Sequence, residues 1–381
     1  MIRFEEEPTS LIAPVANIKV IGVGGAGCNT VNSMIENGAV GIDFIVTNTD
    51  AQTLATSKAP VKLQMGMKST KGLGAGANPE LGRRAAEEDI DKIMDSLAGA
   101  DMVFLTGGMG GGTGSGALPV IARALKEKDV LTIAVVTKPF TFEGKRRMKV
   151  ANDALNCLSE YVDTLIVLPN QRLIELVDQK VSLVGAFNMI NNVLNQFVRS
   201  ISDIITRPGH INVDFADVKT IMKNQGYAVI GTARATGEDR ATKAANQALS
   251  SSLLENMNIK GARSVLLNIT GNADVGLHEV SAAASIMYEQ AHEDANIILG
   301  SVIDDSCDEE VIVTIIATGF EHQIQKNIAE QLHHKIDISP KVQAQIYKAA
   351  EQEVTNDGNL NIDDLDIPTY MRKKAQESSI K

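Results

Sequence analysis

The chain has 381 residues, 44% of them hydrophobic and 22% charged, which is the composition of an ordinary globular protein with length for two domains and a tail. Its net charge of −11 argues against binding a nucleic-acid backbone. The acidic start Met1-Ile-Arg-Phe-Glu-Glu-Glu7 is unlike a signal peptide, no apolar run approaches the roughly 18 residues that span a bilayer, and Cys28, Cys157 and Cys307 lie too far apart for metal-ligand spacing. A cytoplasmic protein with reduced thiols and no direct membrane insertion is expected.

Residues 1–13 read as a free N-terminal arm. Ile18-Lys-Val-Ile21 reads as a buried strand, running into Gly22-Val-Gly24-Gly25-Ala-Gly27 and a helix over residues 29–36. This G-x-G-x-x-G turn in a strand–turn–helix context suggests a dinucleotide cofactor, with Asp50 near the distance of a ribose-binding acid. The next strand, residues 42–46, ends in Thr47-Asn48-Thr49-Asp50, short polar side chains at the end of the strand where such sheets bind ligands. A further glycine cluster, Gly72-Leu-Gly74-Ala75-Gly76-Ala-Asn78-Pro79, precedes a helix expected over residues 80–97. There Asn78 serves as N-cap and Pro79 takes the first helical position.

The richest cluster follows the apolar run Met102-Val-Phe-Leu105. Seven of the ten residues from Gly107 to Gly116 are glycine, and a helical pattern over 117–128 comes next. Bare backbone at a strand-to-helix turn lets N–H groups and a helix amino end converge on a phosphate. A Walker loop is excluded, because Gly112 is followed by Thr113-Gly114-Ser115 with no lysine. A bound nucleotide is therefore held by amides, by the Thr113 hydroxyl and by metal. Two more buried strands, residues 130–136 and 164–168, complete an alternation that implies a doubly wound parallel sheet. Glu143 and Arg147 follow the first of them, and two readings stand: a grip on ribose and phosphate, or a solvated helix start.

From 181 to 205 apolar residues recur at helical spacing, with Leu183, Phe187, Ile190, Leu194, Phe197, Ile201 and Ile204 as the stripe. Val184, Val193, Val198 and Ile205 widen it, so this helix is expected to be buried between two domains. Phe187 and Asn191, one turn apart, either stack on a base and bond its edge or belong to the core. Beyond it, Asn212-Val-Asp214-Phe-Ala-Asp217 opens another helix. Pattern alone favours helix capping for Asp214 and Asp217, while positioning an attacking water beside a phosphate is the competing use.

The second half reads as a compact α+β domain: strands at 226–234, 264–270, 297–303 and 311–316, and helices at 240–253 and 278–292. After Gly319 the composition turns polar and charged, as in a mobile linker with a transient helix over 341–353. Residues 363–374 combine an acidic lead, apolar anchors and a basic finish, the makings of a segment that folds onto a partner groove.

These motifs carry a resemblance. The run from Gly107 to Gly116 resembles the tubulin signature loop, and Asn212-x-Asp214-x-x-Asp217 resembles the synergy loop of the FtsZ family of bacterial cell-division proteins. The likeness extends from about residue 18 to residue 319 and returns near the C-terminus. It implies a tubulin-like GTPase that uses GTP/GDP and Mg2+ and polymerises head to tail into the filaments of a midcell division ring. By this likeness Gly24, Gly25, Asn29, Gly74, Ala75, Gly76 and the loop Gly108, Met109, Gly110, Gly111, Gly112, Thr113 and Gly114 hold the phosphates. Glu143 and Arg147 contact ribose and phosphate, while Asn170, Phe187 and Asn191 contact the guanosine. Asn191 departs from the aspartate of many members by offering a neutral amide. Asn212, Asp214 and Asp217 are implied to be catalytic in trans, on the nucleotide of the next subunit. The C-terminal segment resembles the family's binding peptide for membrane-tethering and regulatory division proteins.

The resulting division is an arm (1–13), a GTP-binding domain (14–180), a central helix (181–205), an α+β domain (206–319), a linker (320–362) and a partner-binding tail (363–381). The alternatives are a Rossmann-type NAD enzyme, resting on Gly22, Gly24, Gly27 and Asp50, and a structural filament protein that binds nucleotide without cleaving it.

Overall fold

The computed structural model describes residues 16–174, 181–207, 209, 211–250 and 261–320. The expected arm, tail and helix over 341–353 lie outside them, as does all but Phe320 of the linker. β1 (Ile18–Val23) runs into α1 (Gly24–Glu36), and β2 (Ile42–Asn48) into α2 (Ala51–Ala55). β3 (Val61–Gln64), α3 (Met67–Thr70), α4 (Pro79–Glu88) and α5 (Ile90–Ser96) lead to β4 (Met102–Gly108) and α6 (Thr113–Glu127). β5 (Leu131–Lys138), α7 (Lys145–Ser159), β6 (Thr164–Pro169) and α8 (Asn170–Ile174) precede the long α9 (Leu183–Thr206). Then come α10 (Phe215–Met222), β7 (Gly226–Ala235), α11 (Arg240–Leu249), β8 (Ser264–Gly271), α12 (Leu277–Gln290), β9 (Asn296–Ile303) and β10 (Val311–Thr318).

The strands form one ten-stranded sheet in the order β3-β2-β1-β4-β5-β6-β7-β10-β8-β9. From β3 through β7 every neighbour is parallel. Their near-continuous apolar runs suit this, because helices cover both faces of a parallel sheet; β4, for instance, is buried at every position except Gly108. The chain order reverses between β1 and β4, so the turns after these two strands flank the crevice where a doubly wound sheet takes its ligands. β7 joins the two kinds of pairing. Gly226 to Ala228 pair in parallel with β6, and Val229 to Ala235 pair antiparallel with β10.

Some elements differ from expectation for local reasons. α1 and α6 begin earlier than the apolar pattern indicates, at Gly24 and Thr113, so the glycines of both turns form the first helical turns themselves. The helix expected over 80–97 is two helices, broken at Asp89. The Asp89 carboxylate accepts the Gly66 N–H at 2.8 Å, a tertiary contact that outweighs local helix propensity.

α9 carries the central core. Ile190, Leu194, Phe197, Val198, Ile201 and Ile204 share one apolar cluster with Val20 and Phe104 of the parallel strands and with Leu266, Val302 and Ile316 of the later ones. Each such side chain is worth about 2 kcal/mol of burial. Near its C-terminal end, Arg199 and Arg207 bridge Asp203 and Asp304, with Arg199 Nη2 2.8 Å from Asp304 Oδ2. Burial pushes Asp203 above the usual carboxylate range against the pull of Arg207 and Arg199. Asp304 is also raised by burial, but the Ser306 hydrogen bonds and the two arginines outweigh this and hold it below that range. Among the described residues no helix is long and apolar enough to cross a membrane.

Candidate functional site

At the carboxyl ends of β1 and β4 the first turns of α1 and α6 meet. An added Cβ on Gly24, whose φ is +73°, would stand 3.3 Å from the Gly114 nitrogen. Two helix amino ends, each with unpaired N–H groups, thus point into one place.

The glycine-rich loop spends several of its amides on its own shape. Met109 N–H donates to the Thr137 carbonyl at 2.9 Å, and Gly112 N–H to the Gly76 carbonyl at 3.0 Å. Gly110, at φ +98°, donates its N–H to the buried Ser115 hydroxyl at 2.8 Å. Among the described residues the N–H groups of Gly111, Thr113 and Gly114 find no protein acceptor. The expectation for the loop from Gly108 to Gly114 is therefore narrowed by Met109, Gly110 and Gly112, whose amides are already used within the protein. Gly74 is narrowed likewise, since its N–H donates to the Thr49 carbonyl at 3.2 Å. Gly76 presents its carbonyl to the loop, and Ala75 is buried beside Gly112. An added Cβ on Gly25 or Gly111 would meet nothing within 4 Å, so these glycines border open space.

Next to this cradle lies a cleft of ≈ 310 Å³, the size of a small-molecule site. It gathers Asn29, Gly108, Met109, Glu143, Arg147, Asn170, Phe187 and Asn191, residues from seven different elements or turns of the chain. Glu143 Oε1 accepts the Phe140 N–H at 2.8 Å, and Glu143 Oε2 pairs with Arg147 Nη1 at 2.8 Å. Phe187 is 42% exposed and meets Phe140 edge-on, with ring centroids 5.7 Å apart. This removes Phe187 from the core and leaves a ring face for a ligand. Asn170 is buried and lines the cleft, and among the described residues its Oδ1 has no partner. A buried orphan acceptor of this kind is costly unless a ligand donates to it. Bare backbone for phosphates, a ring for a base and unsatisfied amide oxygen together fit a nucleotide.

Sequence reasoning missed Thr30, Thr137, Pro139, Ile190 and Leu194, which also line the cleft. Thr137 and Pro139 stand at the carboxyl end of β5, where ligand contacts in such sheets are general; Thr30 gave no local signal. Asp50 does not reach for a ribose. Its carboxylate caps α2, accepting from Gln52 N–H at 2.9 Å and from the Thr53 hydroxyl at 2.7 Å, and the Thr53 bond leads the contacts that hold its pKa low. Thr49 and Thr113 hydroxyls lie 2.7 Å apart beside the cradle. Burial pushes the Cys28 thiol up to about 11, so it is protonated and unreactive at neutral pH.

Asn212, Asp214 and Asp217 are not brought to the cleft. All are exposed, while Val213 and Val218 between and after them are buried and pin the segment. Asp214 Oδ1 accepts the Asp217 N–H at 2.8 Å and caps α10; Asp217 Oδ2 returns the contact to the Asp214 N–H at 3.4 Å. Capping uses one oxygen of each, so it and chemistry are compatible. Asn212 Oδ1 accepts the Gly209 N–H at 2.9 Å. The far end of α10 is tied to the amino ends of the parallel strands: Thr164 Oγ1 donates to the Met222 carbonyl, and Lys223 pairs with Asp129 at 2.9 Å. Asp217 is about 8 Å from Met222 along the helix. The acidic loop and the cradle therefore sit at opposite ends of the same strands, with α9, about 36 Å long, running from one side to the other.

The chain is similar to known proteins over both halves of the fold. Residues 17–178 match the model of the Tubulin/FtsZ family, GTPase domain, and residues 226–321 that of the FtsZ family, C-terminal domain. The chain is 47% identical over 368 residues to the cell division protein FtsZ of Pseudomonas aeruginosa, covering 97% of this chain and 92% of that protein. An empty FtsZ dimer from M. jannaschii superposes with a TM-score of 0.77 at 42% identity, over 81% of this chain and 90% of the other. CetZ2 from Haloferax volcanii, solved as a GTPγS-bound protofilament, shares the fold with a TM-score of 0.68 at 21% identity, over 84% of this chain and 99% of the other.

Proposed function

The chain belongs to the FtsZ branch of the tubulin/FtsZ family of GTPases, and on that premise we propose that it assembles head to tail and cleaves GTP in sites shared between successive copies. One protomer holds the nucleotide, phosphates against the amino ends of α1 and α6 and guanosine against Asn170, Phe187 and Asn191, with Glu143 and Arg147 at the ribose and phosphate. The next protomer brings Asn212, Asp214 and Asp217 to the γ-phosphate. There the carboxylates orient a water and accept its proton as it attacks phosphorus. The bond to the β–γ bridging oxygen breaks, leaving GDP and inorganic phosphate. Backbone N–H groups stabilise the charge that develops on the phosphate oxygens.

The observation that carries this reading is the separation of cradle and acidic loop by the depth of the sheet, which leaves either half incomplete within one chain. Thr49 and Thr113 hydroxyls, 2.7 Å apart, are hard oxygen donors suited to Mg2+ held jointly with phosphate oxygens. Such an ion, when bound, neutralises charge on the β- and γ-phosphates. The dinucleotide reading loses its ribose acid, because the Asp50 carboxylate is taken up by α2.

We place the protein in the cytoplasm at the midcell division site, with residues 363–381 docking on membrane-tethering and regulatory division proteins. The division into nucleotide domain, central helix and α+β domain follows the same reading. The test is phosphate release per protomer against protein concentration. A steep rise above a threshold is expected, with light scattering that requires GTP and magnesium; a turnover independent of concentration would overturn shared sites. Removing residues 363–381 is expected to leave assembly intact and abolish tether binding.

A further inference from the structure

Thr30 sits on α1 one turn after the phosphate-facing glycines, is 1% exposed, and lines the cleft beside Asn191. Its hydroxyl oxygen is 3.0 Å from the Ala26 carbonyl oxygen and 3.2 Å from Asn191 Oδ1. A hydroxyl has one proton to donate, and here both neighbours are acceptors. Only one contact can be a hydrogen bond in that arrangement; the other sets two lone pairs against each other in a buried place.

The Ala26 contact is the shorter and lies within α1, so it keeps the proton. The conflict at Asn191 is then relieved by turning its terminal amide half a revolution, which exchanges Nδ2 and Oδ1 at almost no change in shape. Turned in this way, Nδ2–H donates to Thr30 Oγ1 and Oδ1 takes the other end of the amide, on a residue that lines the cleft. From this proton count we propose that Thr30 is a specificity-determining positioning residue: it sets the Asn191 amide so that an acceptor oxygen, as on a carboxylate, meets the base. A guanine edge offers N1–H and 2-amino donors to that oxygen, whereas adenine has an unprotonated N1 at the same place, and two acceptors repel. A neutral side chain so oriented does the work of an aspartate.

The inference rests on the reading of this cleft as the guanosine site, and the test separates the two. Dissociation constants for GTP and ATP are measured on the full chain and on Thr30→Val, which keeps shape and loses the hydroxyl. The expected result is that the preference for GTP over ATP falls about tenfold in Thr30→Val. Thr30→Ser keeps the parent preference. Thr30→Val combined with Asn191→Asp regains it, because a carboxylate has an acceptor whichever way it turns. If Thr30→Val retains the parent ratio, or loses GTP and ATP in equal proportion, or is not rescued by Asn191→Asp, Thr30 has only a packing role and the inference is overturned. If the parent chain itself shows no preference for GTP, it is the guanosine reading of the cleft that fails.

Discussion

Gly111 and Gly112 are neighbours that face opposite surroundings: an added Cβ on Gly111 would meet nothing within 4 Å, while one on Gly112 would stand 2.4 Å from the Gly76 carbonyl oxygen. Space next to Gly111 is open, as the proposed phosphate site requires, and space next to Gly112 is already filled by protein. Gly111→Ala is expected to keep the parent melting temperature and to weaken GTP binding about tenfold or more. Gly112→Ala is expected to lose about 2 kcal/mol of stability, since backbone must move to admit it. Calorimetric titration and thermal unfolding on both variants check this pair; equal effects on stability would contradict the assignment of the open space.

Asp217→Asn tests the acidic loop while keeping an oxygen for the contact with the Asp214 N–H. GTP binding is expected to stay at the parent level and turnover to fall about a hundredfold or more. Mixing this variant with Gly111→Ala is expected to restore part of the turnover, because the second protein supplies intact acids to nucleotide held by the first. Phosphate release from the mixture no greater than the sum of the two alone would place the acids and the nucleotide in the same chain.

Phe187, with its ring in a T-shaped contact with Phe140 and its side chain 42% exposed, offers stacking area at the cleft. Base–aromatic stacking is worth about 1–3 kcal/mol. Phe187→Ala is expected to raise the dissociation constant for GTP about tenfold and to leave the unfolding transition near that of the parent. A large loss of stability with unchanged affinity would return Phe187 to the core.

Arg240 and Glu279 tie α11 to α12 through bonds of 2.8 and 3.2 Å, and Glu279 also accepts the Gly276 N–H at 2.9 Å. The Arg240 bond, ahead of the opposing effect of burial and joined by the Gly276 contact, holds the Glu279 carboxyl below its ordinary range. A carboxylate depressed in the folded state adds stability above its unfolded pKa of about 4.3, and that stability is lost as pH falls through the lower folded value. Glu279→Gln is therefore expected to cost about 1–2 kcal/mol at neutral pH. The gap from the parent should close below about pH 4. Urea unfolding across that range checks it, and a gap constant with pH would rule out the charge as its source.

Much of this protein was legible along the chain. Apolar runs 102–105 and 130–136 announced parallel strands, the heptad-like stripe announced α9, and the spacing Asp214 to Asp217 announced a helix cap, because each depends on residues a few positions apart. The glycine clusters likewise marked where backbone lies bare. Chain order alone could not tell which loop amides remain available. Met109, Gly110 and Gly112 give theirs to Thr137, Ser115 and Gly76, partners that only the folded path brings near. Nor could periodicity decide between core and cleft for Phe187, join β7 to both β6 and β10, or set Thr30 against Asn191 across 161 positions. Local pattern encodes which face of an element avoids water; which polar atoms then find partners, and which are left for a ligand, depends on distances between elements that the tertiary structure alone sets.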